Sequence, residues 1–129
     1  GNYKIVDKFS KNSGKKTQVK LINANFIDWW NKNNKSINSK TAVFLDPPWG
    51  GSSYRETLEI QDLYLRDNSN DEYSMVELIQ KISQNNKTPS IILKLPFNYR
   101  VRTILEKGYE VYAFHIKKVQ FLYINPYKK

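Results

Sequence analysis

A chain of 129 residues with 40% hydrophobic and 14% aromatic residues can fill one packed domain, residues 1–129, which argues against global disorder and against a second domain. It holds no cysteine and one histidine, His115, which excludes disulfides, thiolate metal centres and multi-histidine metal sites; no metal is expected. Its 21 basic against 12 acidic residues give a net charge of +9, the footprint of a polyanion partner such as nucleic acid.

The charge is unevenly placed. Residues 1–40 carry nine lysines and two acids, residues 41–88 four bases and eight acids, and residues 89–129 eight bases and two acids. Two basic flanks around an acidic middle can form a phosphate-attracting rim. The plainer reading is the Lys- and Asn-rich composition of an AT-rich gene. No apolar run approaches the ~20 residues of a membrane helix. The polar start, Gly1 to Lys8, lacks the pattern of a signal peptide. The expected location is therefore intracellular, in nucleus or cytoplasm, with a viral or AT-rich genome compatible as origin.

In chain order, TQVKLINANF (17–26) reads as a first strand, with Val19 and Leu21 on one face. FIDWWNKN (26–33) fits one short helix with Asp28 in its first turn, and the polar stretch 31–40 reads as a loop. TAVFLDPP (41–48) is a continuous apolar run, the pattern of a strand buried on both faces of a parallel sheet. RDNSNDE (66–72) reads as a loop or lid. SMVELIQKISQN (74–85) spaces Met75, Leu78, Ile79 and Ile82 as one helical face, with Ser74 as N-cap. PSIILKLPF (89–97) is another strand. YRVRTILEKG (99–108) is a helix with Gly108 at its C-cap position. YEVYAFHI (109–116) and VQFLYINP (119–126) form an antiparallel hairpin turning at Lys117 and Lys118. The fold class is α/β with a C-terminal antiparallel hairpin.

The most informative segment is VFLDPPWGGSSY, Val43 to Tyr54. In open α/β sheets, ligands bind beyond the carboxyl ends of strands, and this segment follows a strand. Pro47 and Pro48 fix φ and lack N–H donors, so their carbonyls stand as acceptors beside the Asp46 carboxylate. Trp49 offers a flat π surface, and Gly50 and Gly51 allow a sharp turn or a close approach. Together they suit a slot for a planar heterocycle bearing an exocyclic amine. The bland alternative is a Pro-Gly turn with Trp49 plugging the core.

This segment resembles that of class I S-adenosylmethionine-dependent methyltransferases that modify exocyclic amines, which carry [D/N/S]-P-P-[W/Y/F] after their fourth strand. The longer form FLDPPWGGSSY is similar to the trimethylguanosine synthase family, which methylates the N2 amine of a 7-methylguanosine RNA cap. The flanks KLINANFIDW, IILKLPFN and KKVQFLYI extend the likeness over Val19 to Ile124. The resemblance implies a Rossmann-like class I methyltransferase sheet, with S-adenosylmethionine as cofactor and capped RNA or another nucleic acid as partner. It implies that Trp49 stacks on the methylated guanine, that Asp46 and the Pro47 carbonyl hold the N2 amine as catalytic residues, and that Pro48, Gly50, Gly51 and Tyr54 line the substrate site. Asn25, where the family has Asp, and Phe26 would lie with Asp46 on the cofactor side.

The sequence also departs from the family. No G-x-G loop for the cofactor's methionine end precedes Asp46, and no acid follows a second strand to hold its ribose. The expected sheet therefore lacks its first two strands, and a second chain or segment is expected to supply the N-terminal half of the fold. Phe97 stands where the family turn commonly carries a base; Arg100 is the substitute candidate for cap phosphates, with Arg102 beside it. Two alternatives stay open: an adenine-N6 methyltransferase of DNA or RNA, or an inactive methyltransferase-like module that binds RNA or a partner.

Other signals are weaker. SGKKT (13–17) fails the phosphate-loop spacing, with Phe9 at the first glycine position and Lys16 at the Ser/Thr position. Of Trp29 and Trp30, one is expected in the core and one at the surface. His115, without partners, is expected to be structural.

Overall fold

The computed structural model describes residues 18–84 and 89–125. The phosphate-loop-like segment 13–17 and the ends of the chain lie outside the described residues. The elements are helix α1 (Phe26–Asn33), a 3-10 turn at Asn34–Ser36, strand β1 (Ala42–Leu45), a 3-10 turn at Gly51–Glu56, a small hairpin of β2 (Tyr64–Arg66) and β3 (Glu72–Ser74), helix α2 (Met75–Ser83), strand β4 (Ser90–Pro96), helix α3 (Arg102–Leu105), and strands β5 (Glu110–Ile116) and β6 (Val119–Asn125).

The principal sheet has the order β1-β4-β6-β5. β1 runs parallel to β4 with Leu45 opposite Leu93; β4 and β6 are antiparallel, as are β6 and β5. The terminal hairpin thus forms as expected, turning at Lys117 with φ of 54°. The result is a mixed α/β fold whose sheet is mostly antiparallel.

Local chemistry explains the helices. Asn25 caps α1, its Oδ1 accepting from the N–H groups of Ile27 and Asp28. Ser74 caps α2 in a capping box: its hydroxyl accepts from Glu77 N–H while the Glu77 carboxylate accepts from Ser74 N–H. Both helices are amphipathic, and their buried residues join one core: Ile27 and Trp30 from α1, and Met75, Leu78, Ile79 and Ile82 from α2. From the sheet come Val43, Leu45, Ile91, Leu93, Leu95, Leu122 and Ile124. Trp30 is buried in the core, as expected of one of the tryptophan pair, while Trp29 is not at the surface but half-buried against the same core.

The structure corrects four sequence expectations. Residues 18–24 form no strand, and Val19, Leu21 and Ile22 are exposed. Their local alternation suits a strand, but alternation alone does not bring a segment to a sheet edge: among the described residues β1 pairs through β4 alone, and 18–24 do not pair with its other edge. Second, β1 is buried on one face only: Val43 and Leu45 point inward while Phe44 is 54% exposed. Third, the helix read over 99–108 shrinks to Arg102–Leu105, because Tyr99 is instead buried in a β-bridge to Ile60. Fourth, the polar stretch 31–40 is not all loop: α1 runs to Asn33, and a 3-10 turn follows.

Period-2 alternation separates two faces of the sheet. Register places Phe44, Ile92, Lys94, Phe121, Tyr123, Tyr112, Phe114 and Ile116 together on the face opposite the core. Five of these, including Phe114 and Tyr112, are exposed large hydrophobics.

Candidate active site

β1 ends at Leu45, and the chain passes directly into Asp46-Pro47-Pro48-Trp49-Gly50-Gly51 at the carboxyl end of a parallel strand pair. Pro47 is buried and Pro48 exposed. Gly50 and Gly51 both adopt left-handed backbone, φ 86° and 76°, which reverses the chain into the 3-10 turn that carries Tyr54. That reversal brings Tyr54 back against Trp49, edge to face, with ring centroids 5.1 Å apart and planes at 77°.

Asp46, Pro47, Pro48, Trp49, Gly51, Tyr54 and Lys94 line one open cleft of about 470 Å³. That volume lies in the usual range of small-ligand sites. Trp49 is half-buried: it packs against the core yet still lines the cleft, so it is not a sealed core plug. Its indole Nε1 is buried without a hydrogen-bond partner.

The sequence reading missed two residues here. Lys94 reaches from β4 to place Nζ 3.7 Å from Asp46 Oδ2. Asn98, buried just after β4, donates its amide to the carbonyls of Tyr54 and Thr57, both at 2.8 Å, and so holds the 3-10 turn in place. A lysine inside an apolar strand pattern signals a solvent-facing position, which is why Lys94 drew no attention. Asn98 acts across 44 residues of sequence, which no local pattern reveals.

The other candidates sit elsewhere. Gly50 shapes the turn but does not line the cleft. Arg100 is committed: its guanidinium pairs with Glu106 at 3.0 Å and Glu59 at 3.6 Å and donates to Thr103. It does not line the cleft, and the cation that does is Lys94. Asn25 is engaged on both sides, its Oδ1 by the helix cap and its Nδ2 by the carbonyl of Arg66. Phe26 is half-buried beside Trp30, centroids 6.0 Å apart. Of the residues expected on the cofactor side, only Asp46 lies in this cleft. His115 is exposed on β5. Among the described residues, no group of three or more His, Cys, Asp or Glu could hold a metal ion, and no helix is long and apolar enough to cross a membrane.

Comparison with known proteins adds a family. The sequence model of a family described as RNA cap guanine-N2 methyltransferase matches residues 2–128. An uncharacterized protein of Acanthamoeba polyphaga mimivirus is 31% identical over 117 residues, covering 84% of this chain and 43% of that protein. The chain thus spans less than half the length of this relative. No solved structure matches the chain.

Proposed function

Since the chain belongs to the RNA cap guanine-N2 methyltransferase family, we propose that its Asp46–Tyr54 cleft receives the 7-methylguanine of an RNA cap and presents the N2 amine for methylation. One observation carries this reading: a half-buried indole shares an open cleft with a carboxylate and two consecutive prolines at the carboxyl end of β1.

Each residue has a task in that reading. Trp49 stacks on the purine, and the positive charge of a 7-methylated base adds a cation–π attraction of ~0.5–2 kcal/mol. Asp46 accepts from the exocyclic amine, as does the carbonyl of Pro47, and the carboxylate receives the proton that the amine loses. Tyr54 closes the cleft against Trp49. S-adenosylmethionine would supply an electrophilic methyl group. Asp46 fits the methyl end of that cofactor, whereas Asn25 spends its Oδ1 acceptor on the helix cap and so offers none to the amine of adenine. With no G-x-G before Asp46, the rest of the cofactor's site is assigned to residues outside this cleft. Catalysis in the cleft then consists of positioning and electrostatics.

The strand order β1-β4-β6-β5, with β1 parallel to β4 and an antiparallel final pair, supports reading this sheet as the C-terminal half of a class I methyltransferase sheet. Among the described residues one edge of β1 has no partner and the aromatic face is uncovered, which supports a second segment or chain that completes the sheet.

Calorimetric titration with 7-methylguanosine diphosphate and guanosine diphosphate tests the reading. The methylated nucleotide should bind more tightly, and Trp49→Ala should abolish that preference. Equal loss of both nucleotides in Trp49→Ala would remove the cap assignment. Methylation of uncapped adenine-containing oligonucleotides, with capped RNA inert, would replace guanine by adenine.

A further inference from the structure

The proposed purine cleft contains a second charged group, and its placement bears on which base edge is read. The Leu45–Leu93 pairing fixes β1 and β4 side by side, so Asp46 and Lys94 stand one residue further along on adjacent strands. Their side chains are 50% and 36% exposed and both line the cleft. At 3.7 Å the ammonium and carboxylate attract one another, but the separation is longer than a hydrogen bond. The ammonium therefore keeps its N–H donors for an incoming acceptor. A carboxylate only accepts and an ammonium only donates, so the pair is a fixed acceptor beside a fixed donor.

We propose that Lys94 is a specificity-determining residue of this cleft, donating to the 6-oxo oxygen of a guanine whose N1–H and exocyclic amine are accepted by Asp46. The inference rests on the purine reading above. The edge of guanine presents one acceptor, O6, followed by two donors, N1–H and the N2 amine. Asp46 takes the two donors and Lys94 takes the acceptor, so three bonds form. An adenine edge offers one amine and one ring nitrogen, and only two bonds form. Asp46 alone would accept any amine; Lys94 is what makes the oxo group count. In this arrangement the amine that faces Asp46 is N2 and not N6.

The test pairs two ligands with two variants. 7-Methylguanosine and 7-methyl-6-thioguanosine share the N1–H, the N2 amine and the charged ring, and differ in the acceptor at C6, where sulfur accepts weakly. Calorimetric titration of the full chain should show the oxo ligand binding about tenfold more tightly, the worth of one charge-assisted hydrogen bond. Lys94→Met should weaken the oxo ligand about tenfold and leave the thio ligand nearly unchanged, closing the gap. Lys94→Arg, which keeps a cationic donor, should preserve the gap. Lys94→Met weakening both ligands equally, or neither, would overturn the role of Lys94 while leaving the purine cleft standing. Failure of the unmodified chain to bind either ligand would overturn the purine reading itself, and the inference with it.

Discussion

The buried side chain of Asn98 holds the backbone of Tyr54: its Nδ2 donates to the Tyr54 carbonyl at 2.8 Å and equally to Thr57. One amide so ties the C-terminal part of the turn that forms the far wall of the cleft to the end of β4. The arrangement has a cost, since the Asn98 Oδ1 is buried without a partner.

Asn98→Ala removes both donors, and the chain should lose about 1–3 kcal/mol in urea denaturation. The more specific effect is local. With the turn released, the edge-to-face contact of Tyr54 on Trp49 should loosen, and the near-ultraviolet circular dichroism of that pair should fall. Asn98→Asp should be worse, because it places a carboxylate against two carbonyl oxygens. An Asn98→Ala chain with unchanged stability and an unchanged aromatic signal would refute the clamp.

Gly50 and Gly51 test the geometry of the turn separately from its contacts. A Cβ added at either position meets nothing within 4 Å, so crowding is absent. Both residues have positive φ, and a side chain there costs about 1–2 kcal/mol through the left-handed backbone alone. Gly50→Ala and Gly51→Ala should each lower stability by about that amount. Gly50→Asn should lose less than Gly50→Ala, since asparagine tolerates this region. A loss beyond about 3 kcal/mol would mean that contacts, not φ, are limiting.

Much of the fold follows from short-range signals. The segment FIDWWNKN forms α1 as the short helix expected there, Ser74 caps α2, and the terminal hairpin turns at the paired lysines. These succeed because capping, helical periodicity and a two-residue turn are decided within a few residues. The failures are long-range. Val19, Leu21 and Ile22 alternate as a strand does, yet whether they pair depends on an edge that local sequence does not supply. The β2–β3 hairpin has only three residues per strand, too few for a period to register. In the candidate site the Asp46-to-Tyr54 arc was legible as a local motif, whereas Lys94 and Asn98 reach it through β4 from more than forty residues away.

Tyr99 should add to the loss of stability at alkaline pH. Burial, and then the neighbouring Asp62 carboxylate that accepts its hydroxyl at 2.8 Å, push its ionisation above the ordinary tyrosine range. The folded-state value is raised, so the folded chain keeps the proton after the unfolded chain has released it. The contribution is therefore complete below the unfolded value near ~10 and is lost as pH rises past it, at up to about 1.4 kcal/mol per pH unit. Urea denaturation at pH 9 and pH 11 should show a steeper loss for the unmodified chain than for Tyr99→Phe. Parallel losses would place the alkaline sensitivity elsewhere.

Asn25 separates a capping role from a ligand-holding one. Its Oδ1 satisfies the first N–H groups of α1, and its Nδ2 ties the helix start to Arg66 on β2. In the first turn, Asp28 accepts from the N–H of Asn68 at 2.8 Å, so the β2–β3 hairpin is fastened to the start of α1 at two points, the end of β2 and the loop after it. Asn25→Ala loses the cap and the tie and should cost about 1–2 kcal/mol. Asn25→Ser restores a capping oxygen and should recover most of that loss, without restoring the bond to Arg66. Asn25→Asp keeps the acceptor and places a negative charge at a helix N-terminus, which is favourable, but gives up the donor to Arg66. Stability in the order Asn, then Asp and Ser, then Ala, measured by urea denaturation, fits a residue spent on the fold. If Asn25→Ala instead left stability intact, the amide would be free for a ligand, and its place beside a cofactor would have to be reconsidered.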